Sequence, residues 1–312
     1  MFDLIIIGGG PGGIAAGVYA SRKQLKTLFI TKEWGGQSVV SSEIQNWIGT
    51  IALSGADLAK NLEEHLRAYA KDIVTIKSGV LVTGVEKIEN SDTKMRFKVT
   101  LDNGETAETR AILVTTGSTR RTLNIPGAAK FEHKGVTYCA SCDGPLFSGQ
   151  DVVVVGGGNA GFETAAQLLA YAKSVTLLHR SAEFRADPVT VTRVLENPKM
   201  KALTYADPCE VVGDTFVTAV KYKNPLTGEI TELPTSGIFV EVGLVPSTGY
   251  LGDIVELDEL KRVKIDPWTQ QTSSPGIWAA GDCTNIKYHQ NNISTGDAVR
   301  ALEDIYIHLH TK

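Results

Sequence analysis

The chain has 312 residues, 42% hydrophobic and 21% charged, with a formal net charge of -4, a globular composition with room for two domains. Nothing in this slight acidity suggests a surface for nucleic acid or an anionic membrane, and no apolar run approaches the ~20 residues of a membrane span. The N-terminal MFDLIIIGGGPGG has no basic stretch and only a short apolar run, so no signal peptide is expected and a cytoplasmic location is.

In chain order, FDLIII is a β-branched run that predicts a buried parallel strand, and GGGPGG (Gly8–Gly13) predicts a tight turn. An alanine-rich helix follows to Ala20. KTLFIT (Lys26–Thr31) predicts the second strand, with Glu33 in the turn beyond it, either bonding ribose hydroxyls or simply solvated. Asp57–Ala70 reads as an amphipathic helix. Met95–Val114 alternates around Asn103-Gly104, a hairpin signal, and AILVTTG (Ala111–Gly117) predicts another buried strand. CASCDG (Cys139–Gly144) places two of the four cysteines two residues apart, open to reading as a metal clip, a staple or a redox pair.

DVVVVGGGNAGFETAAQLLA (Asp151–Ala170) then repeats the grammar of the N-terminus: strand, glycine turn, helix. Both copies carry G-x-G-x-x-G, at Gly8, Gly10, Gly13 and at Gly156, Gly158, Gly161. The glycines allow a tight turn, close approach of a pyrophosphate and close packing of helix on strand, while the helix N-terminus offers unpaired N–H groups to phosphate. SVTLLH (Ser174–His179) ends in His179-Arg180, with Arg185 close behind and no acid at the strand end, which suits a 2′-phosphate and so NADPH. A second hairpin runs through Asn224–Gly228; GIWAAGDC (Gly276–Cys283) is a final apolar strand, and a helix is expected from about Thr295.

If Ala111–Gly117 and Gly276–Cys283 both complete the first nucleotide fold, the second is an insertion. The expectation is an α/β protein of two Rossmann-like, three-layer ββα domains. Residues 1–119 and 247–312 would form one and 123–244 the other, with Pro126 and Pro246 near the crossovers.

These motifs together resemble the low-molecular-weight thioredoxin reductases and the related flavoprotein subunit of alkyl hydroperoxide reductase. GGGPGG, GGQ (Gly35–Gln37), EIQNWIG (Glu43–Gly49), TTG (Thr115–Gly117), CASCDG, GGGNAG, HRSAEFR (His179–Arg185) and AAGDC (Ala279–Cys283) occur in that family's order over essentially the whole chain. The resemblance implies FAD on the first domain, bound by Gly8, Gly10, Pro11, Gly12, Gly13, Glu33, Gly36, Gln37, Asn46, Thr116, Gly117, Gly281, Asp282, His289, Gln290 and Asn291. It implies NADPH on the second, bound by Gly156, Gly158, Asn159, Ala160, Glu163, His179, Arg180 and Arg185. It also implies a homodimer, and a rotation of the two domains about the crossovers that brings nicotinamide and disulfide to the flavin in turn.

Ser181 departs from the family pattern at the place of a second arginine, and CDGPLF and GIFVEVGLVPSTGYL are closer to the hydroperoxide-reductase flavoprotein, whose nicotinamide site prefers NADH. With the strand of the FAD fingerprint starting at residue 2, the thioredoxin-like domain that precedes it in that flavoprotein is not expected here.

Zinc needs about four ligands, and Cys209, Cys283 and the six histidines form no such cluster in the sequence, so no metal is expected. A thiol–disulfide pair at a helix start fits Cys139 and Cys142 best. By resemblance Cys142 is the flavin-side thiol and Cys139 the one that attacks a thioredoxin-like protein disulfide. Asp143 is either a proton donor to the departing thiol or a helix N-cap. Three other readings stay open: the same flavin–disulfide engine fed by ferredoxin or a second flavin, the reductase of a peroxiredoxin system, and a flavin-binding redox sensor. A ferredoxin–NADP reductase is disfavoured by the presence of the C-x-x-C pair.

Overall fold

The computed structural model describes residues 1–311 apart from Ser42 and residues 89–95, so Met95, at the start of the first expected hairpin, lies outside the described residues. Two compact units emerge: Met1–Thr119 with Val245–Lys312, and Arg120–Leu244.

The first unit begins with β1 (Phe2–Ile7), α1 (Pro11–Arg22), β2 (Thr27–Thr31), α2 (Gly55–Ala70), β3 (Val74–Ser78), β4 (Val82–Ile88), β5 (Arg96–Leu101) and β6 (Thr106–Val114), and leaves through β7 (Ser118–Arg120). The second contains β8 (Val136–Thr137), α3 (Ala140–Asp143), β9 (Asp151–Val155), α4 (Asn159–Leu168), β10 (Ser174–Leu178) and α5 (Pro188–Leu195). It continues with β11 (Met200–Leu203), β12 (Asp207–Gly213), β13 (Val217–Lys223), β14 (Ile230–Pro234) and β15 (Gly237–Val240). The chain returns through β16 (Leu244–Pro246) to β17 (Ile277–Ala279) and α6 (Asn291–Thr311).

In the first unit the sheet order is β3-β2-β1-β6-β5-β4, with β17 also on β6. The first four of these strands and β17 run parallel, whereas β4, β5 and β6 form an antiparallel meander. Period-two alternation explains why β1 is apolar throughout: Leu4 and Ile6 pack on the side of α1, α2 and α6, and Ile5 and Ile7 on the opposite side. Helix α6 starts at Asn291 rather than near Thr295; the polar NNIST gives no apolar periodicity from which its first turn could be read.

The second unit repeats the plan with a parallel sheet β11-β10-β9-β15-β8 and a separate antiparallel sheet β12-β13-β14. Val152 and Val154 face α4, while Val153 and Val155 face the core shared with β12 and β13. Helix, parallel sheet and antiparallel sheet are the three layers. Among the described residues no helix is long and apolar enough to cross a membrane.

Candidate active site

The first glycine turn follows β1 and opens α1 at Pro11, whose missing N–H is no loss at a helix start. Gly8 has a φ of +124°, and a Cβ there would lie 2.3 Å from the Thr115 carbonyl oxygen, so the turn is pressed against the end of β6. Thr115 Oγ1 donates to the carbonyl of Ile7 at 2.9 Å and ties the two strand ends together. Gly10 is open by contrast: a Cβ on it would meet only Gly36 Cα, at 4.0 Å. The two glycine backbones thus approach one another closely, and apart from Gly36 the side of Gly10 is open.

Around that slot the fold brings together residues far apart in sequence. Asn46 Nδ2 donates to Gln290 Oε1 at 3.1 Å, and Asn292 Nδ2 to the Asn46 carbonyl at 2.7 Å. Ser38 Oγ donates to Asn291 Oδ1 at 2.9 Å, and Gln37 Nε2 to Ser118 Oγ at 3.5 Å. Asp282 accepts from Ser294 Oγ at 3.3 Å. His289 Nδ1 is buried 3.5 Å from Asp282 Oδ1 without a hydrogen bond, an orphaned polar atom beside the candidate cofactor site. The open backbone at Gly10 and this orphan fit a dinucleotide cofactor.

Glu33 is exposed in the turn after β2, its carbonyl accepting from Thr31 Oγ1. Thr116 Oγ1 donates to the Ser247 carbonyl at 2.8 Å. Ser294 was not legible as a site residue because it belongs to no motif. Only the fold shows its hydroxyl on Asp282 and its backbone against Gly12, where a Cβ would come within 2.9 Å of the Ser294 oxygen. Trp34 stacks on Phe29 and carries Arg67 over its ring, which is packing. Cys283 is fully buried, which pushes its thiol up to about 12, and burial likewise raises that of Cys209.

In the second unit, Gly156 has a φ of +126° and its Cβ would lie 2.2 Å from the Glu241 carbonyl oxygen, while Gly158 faces open space. That vacant edge fits a nucleotide at the N-terminus of α4, where Asn159 and Ala160 are exposed. His179 is buried, with Nε2 2.7 Å from the Glu183 carbonyl and its ring against Gly157 and Phe184. It therefore shapes the loop after β10, whereas Arg180 and Arg185 are exposed on it. The same loop carries exposed Glu183, an acid that the reading of the strand end passed over. Asn159 Oδ1 accepts from the Asp187 N–H at 2.8 Å, joining this loop to α4.

Cys139 and Cys142 form a disulfide, with Cα atoms 5.3 Å apart, and both residues are half-buried. Cys139 caps the short helix α3: its Sγ accepts from the Cys142 N–H at 3.2 Å. Asp143 does not cap the turn that follows; its carboxylate instead accepts from the Thr137 hydroxyl. Since β8 and β9 flank β15 in one parallel sheet, Cys139 and the second glycine turn lie at the same carboxyl edge.

The same edge holds Glu241, which the sequence reading gave no role. It directly follows β15, and its Oε1 accepts from Thr164 Oγ1 at 2.8 Å. Burial pushes its carboxyl up to about 7, against the pull of Thr164 and Arg120 and with the help of Glu163. No motif announces it, because the contact links positions 77 residues apart.

The sequence matches the pyridine nucleotide-disulphide oxidoreductase family over residues 2–296. It is 37% identical over 300 residues to the NADH dehydrogenase of Bacillus subtilis and 39% identical over 300 residues to an alkyl hydroperoxide reductase component of Staphylococcus epidermidis. Both matches take in 96% of this chain but 57% of the relative, so the chain spans little more than half the length of these proteins. Among solved structures, thioredoxin reductase from Streptococcus pyogenes superposes with a TM-score of 0.88 at 31% identity, covering 100% of this chain and 99% of that one. Thioredoxin reductase from Giardia duodenalis gives 0.88 at 31% identity, with 97% of each chain covered. The chain belongs to the pyridine nucleotide-disulphide oxidoreductase family.

Proposed function

We propose that this protein is an NAD(P)H-dependent flavoprotein that reduces a disulfide of a thioredoxin-like protein through Cys139 and Cys142. The observation that carries the reading is the Cys139–Cys142 disulfide at the carboxyl edge of a parallel sheet whose adjoining edge is a nucleotide-type glycine turn. The first domain, residues 1–119 with 247–312, takes FAD against Gly8–Gly13 and Gly36. Gln37, Asn46, Thr116, Gly117, Gly281, Asp282, His289, Gln290 and Asn291 line its site, with Glu33 on the ribose side. The second (123–244) takes the nicotinamide nucleotide on Gly156, Gly158, Asn159, Ala160 and Glu163, with Arg180 and Arg185 favouring the 2′-phosphate of NADPH. His179 acts on that site by holding its loop. Ser181 and Glu183 in the same loop weaken the preference for NADPH and keep NADH as the alternative. When bound, FAD supplies two-electron transfer between hydride donor and disulfide.

The chain's own residues account for the exchange. In the reduced protein, Cys139 as thiolate attacks one sulfur of the partner's disulfide, forming a mixed disulfide and releasing the other sulfur as a thiolate. The Cys142 thiolate then attacks Cys139 Sγ, closing the internal disulfide and releasing the partner's second sulfur; the two protons that Cys139 and Cys142 gave up end on the partner, which leaves as a dithiol. The Cys142 N–H, already on Cys139 Sγ at 3.2 Å, is placed to stabilise the attacking thiolate. Asp143, held in place by Thr137, is the side chain assigned to relay one of the two protons to the departing sulfur.

A peroxiredoxin-linked reductase is the second reading, favoured by the 39% identity to the staphylococcal alkyl hydroperoxide reductase component. Rapid mixing of the FAD-loaded protein with NADPH and NADH, followed by turnover on thioredoxin and on a peroxiredoxin system, separates the readings. Cys139→Ser is expected to keep fast flavin bleaching and to lose disulfide turnover. Full turnover in that variant, or inertness toward both nucleotides, would overturn the proposal.

A further inference from the structure

Glu241 has a place in the second glycine turn's site, provided that turn holds a nicotinamide nucleotide as proposed above. In a doubly wound sheet the dinucleotide lies across the carboxyl ends of the strands where the order reverses. Here that point is between β9 and β15, with β10 and β11 on one side and β8 on the other. The loop after β10 carries Arg180 and Arg185 and so receives the adenosine half. The nicotinamide half then extends over the end of β15, and the first residue after β15 is Glu241.

Its surroundings leave the carboxyl little else to answer to. Thr164, itself buried, donates to Oε1 at 2.8 Å. Glu163 on α4 disfavours ionisation and Arg120 favours it. At this edge β9 contributes the glycine turn, with Asp151 at its opposite end bonded to Ser174 and Lys173. β8 leads to the disulfide-bonded Cys139 and to Asp143, which is held by Thr137. On β13, packed against β15, Lys221 is paired with Glu210. The group therefore changes charge near neutral pH. The two forms of nicotinamide differ in charge as well: the dihydro ring is neutral and the oxidised ring is a cation.

We propose that Glu241 selects the redox state of the bound nicotinamide: its neutral form favours the uncharged reduced ring, and its ionised form favours the pyridinium cation. Binding of the oxidised nucleotide is then accompanied by proton release from Glu241, and binding of the reduced form is not.

The test is calorimetric titration of the FAD-loaded protein with NADP+ and with tetrahydro-NADP, whose neutral ring donates no hydride, at pH 6 and pH 8.5. The NAD+ pair is run in parallel. Because the 2′-phosphate is common to both members of a pair, its titration cancels in the ratio of their affinities. In the wild type the ratio should move about tenfold toward the oxidised form as pH rises. In Glu241→Gln it should stay flat. Thr164→Val, which keeps the carboxyl but removes its donor, should shift the midpoint to higher pH. A flat ratio in the wild type, or a full shift in Glu241→Gln, overturns the proposal. If neither protein binds any of these nucleotides at either pH, the reading of the site fails first and the proposal with it.

Discussion

The two glycine turns are one backbone device used twice, and they differ at one instructive place. Each first glycine is pressed against the carbonyl of the residue just after the neighbouring strand: a Cβ would lie 2.3 Å from the oxygen of Thr115 after β6 in the first, and 2.2 Å from that of Glu241 after β15 in the second. In the first unit that residue is a hydroxyl, satisfied by the Ile7 carbonyl and without charge at any ordinary pH. In the second it is a carboxyl, satisfied by Thr164 and poised near neutrality. Backbone geometry sets where a dinucleotide lies, and the side chain beyond the strand sets what charge it meets.

The two turns are most sensitive at their packing glycines. Gly13→Val and Gly161→Val would place side-chain carbon within 1.9 and 1.8 Å of the carbonyls of Gly8 and Gly156. Gly13→Val is expected to abolish flavin retention, read as bound FAD per chain. Gly161→Val is expected to keep the flavin and weaken nicotinamide nucleotide binding at least about a hundredfold. Loss of flavin in both would mean that the turns are not independent.

Next is the pH dependence of stability. Glu241 releases its proton near 4.5 in the unfolded chain and near 7 in the folded one. The folded state therefore binds the extra proton between those values. For this group stability is greatest below pH 4.5, falls as pH rises to about 7, and stays level above. Glu241→Gln removes that loss, and should stabilise the protein at pH 8 relative to pH 4.5 by up to about 3 kcal/mol. Thermal unfolding at the two pH values is the check, and equal shifts at both contradict it. Thr115→Val, the counterpart in the first unit, should cost about 1 kcal/mol for the lost hydrogen bond, equally at both pH values. The smallest effect expected is for Ser294→Ala, about a fivefold loss of FAD affinity through the loosened Asp282, measured by flavin release on dilution.

The repeated strand–turn–helix was legible because buried parallel strands are apolar on both faces and G-x-G-x-x-G is local. The cysteine pair was legible for the same reason: its partners are three positions apart. What escaped was built by contacts across the fold. Ser294 reaches Asp282 from the first turn of a helix whose polar start hid its boundary. Glu241, just after β15, meets Thr164 on α4. His179 reads as a surface cation next to Arg180, yet its ring is buried against Gly157, a glycine whose small size makes room for it.

The central claim is that Cys139–Cys142 stores electrons in series with the flavin. Anaerobic reductive titration of the FAD-loaded protein with dithionite counts them directly. The wild type should take up about four electrons per chain, two for the flavin and two for the disulfide, and Cys142→Ser about two. Complete reduction of the wild type by about two electrons, with Cys139 and Cys142 still linked, would contradict it.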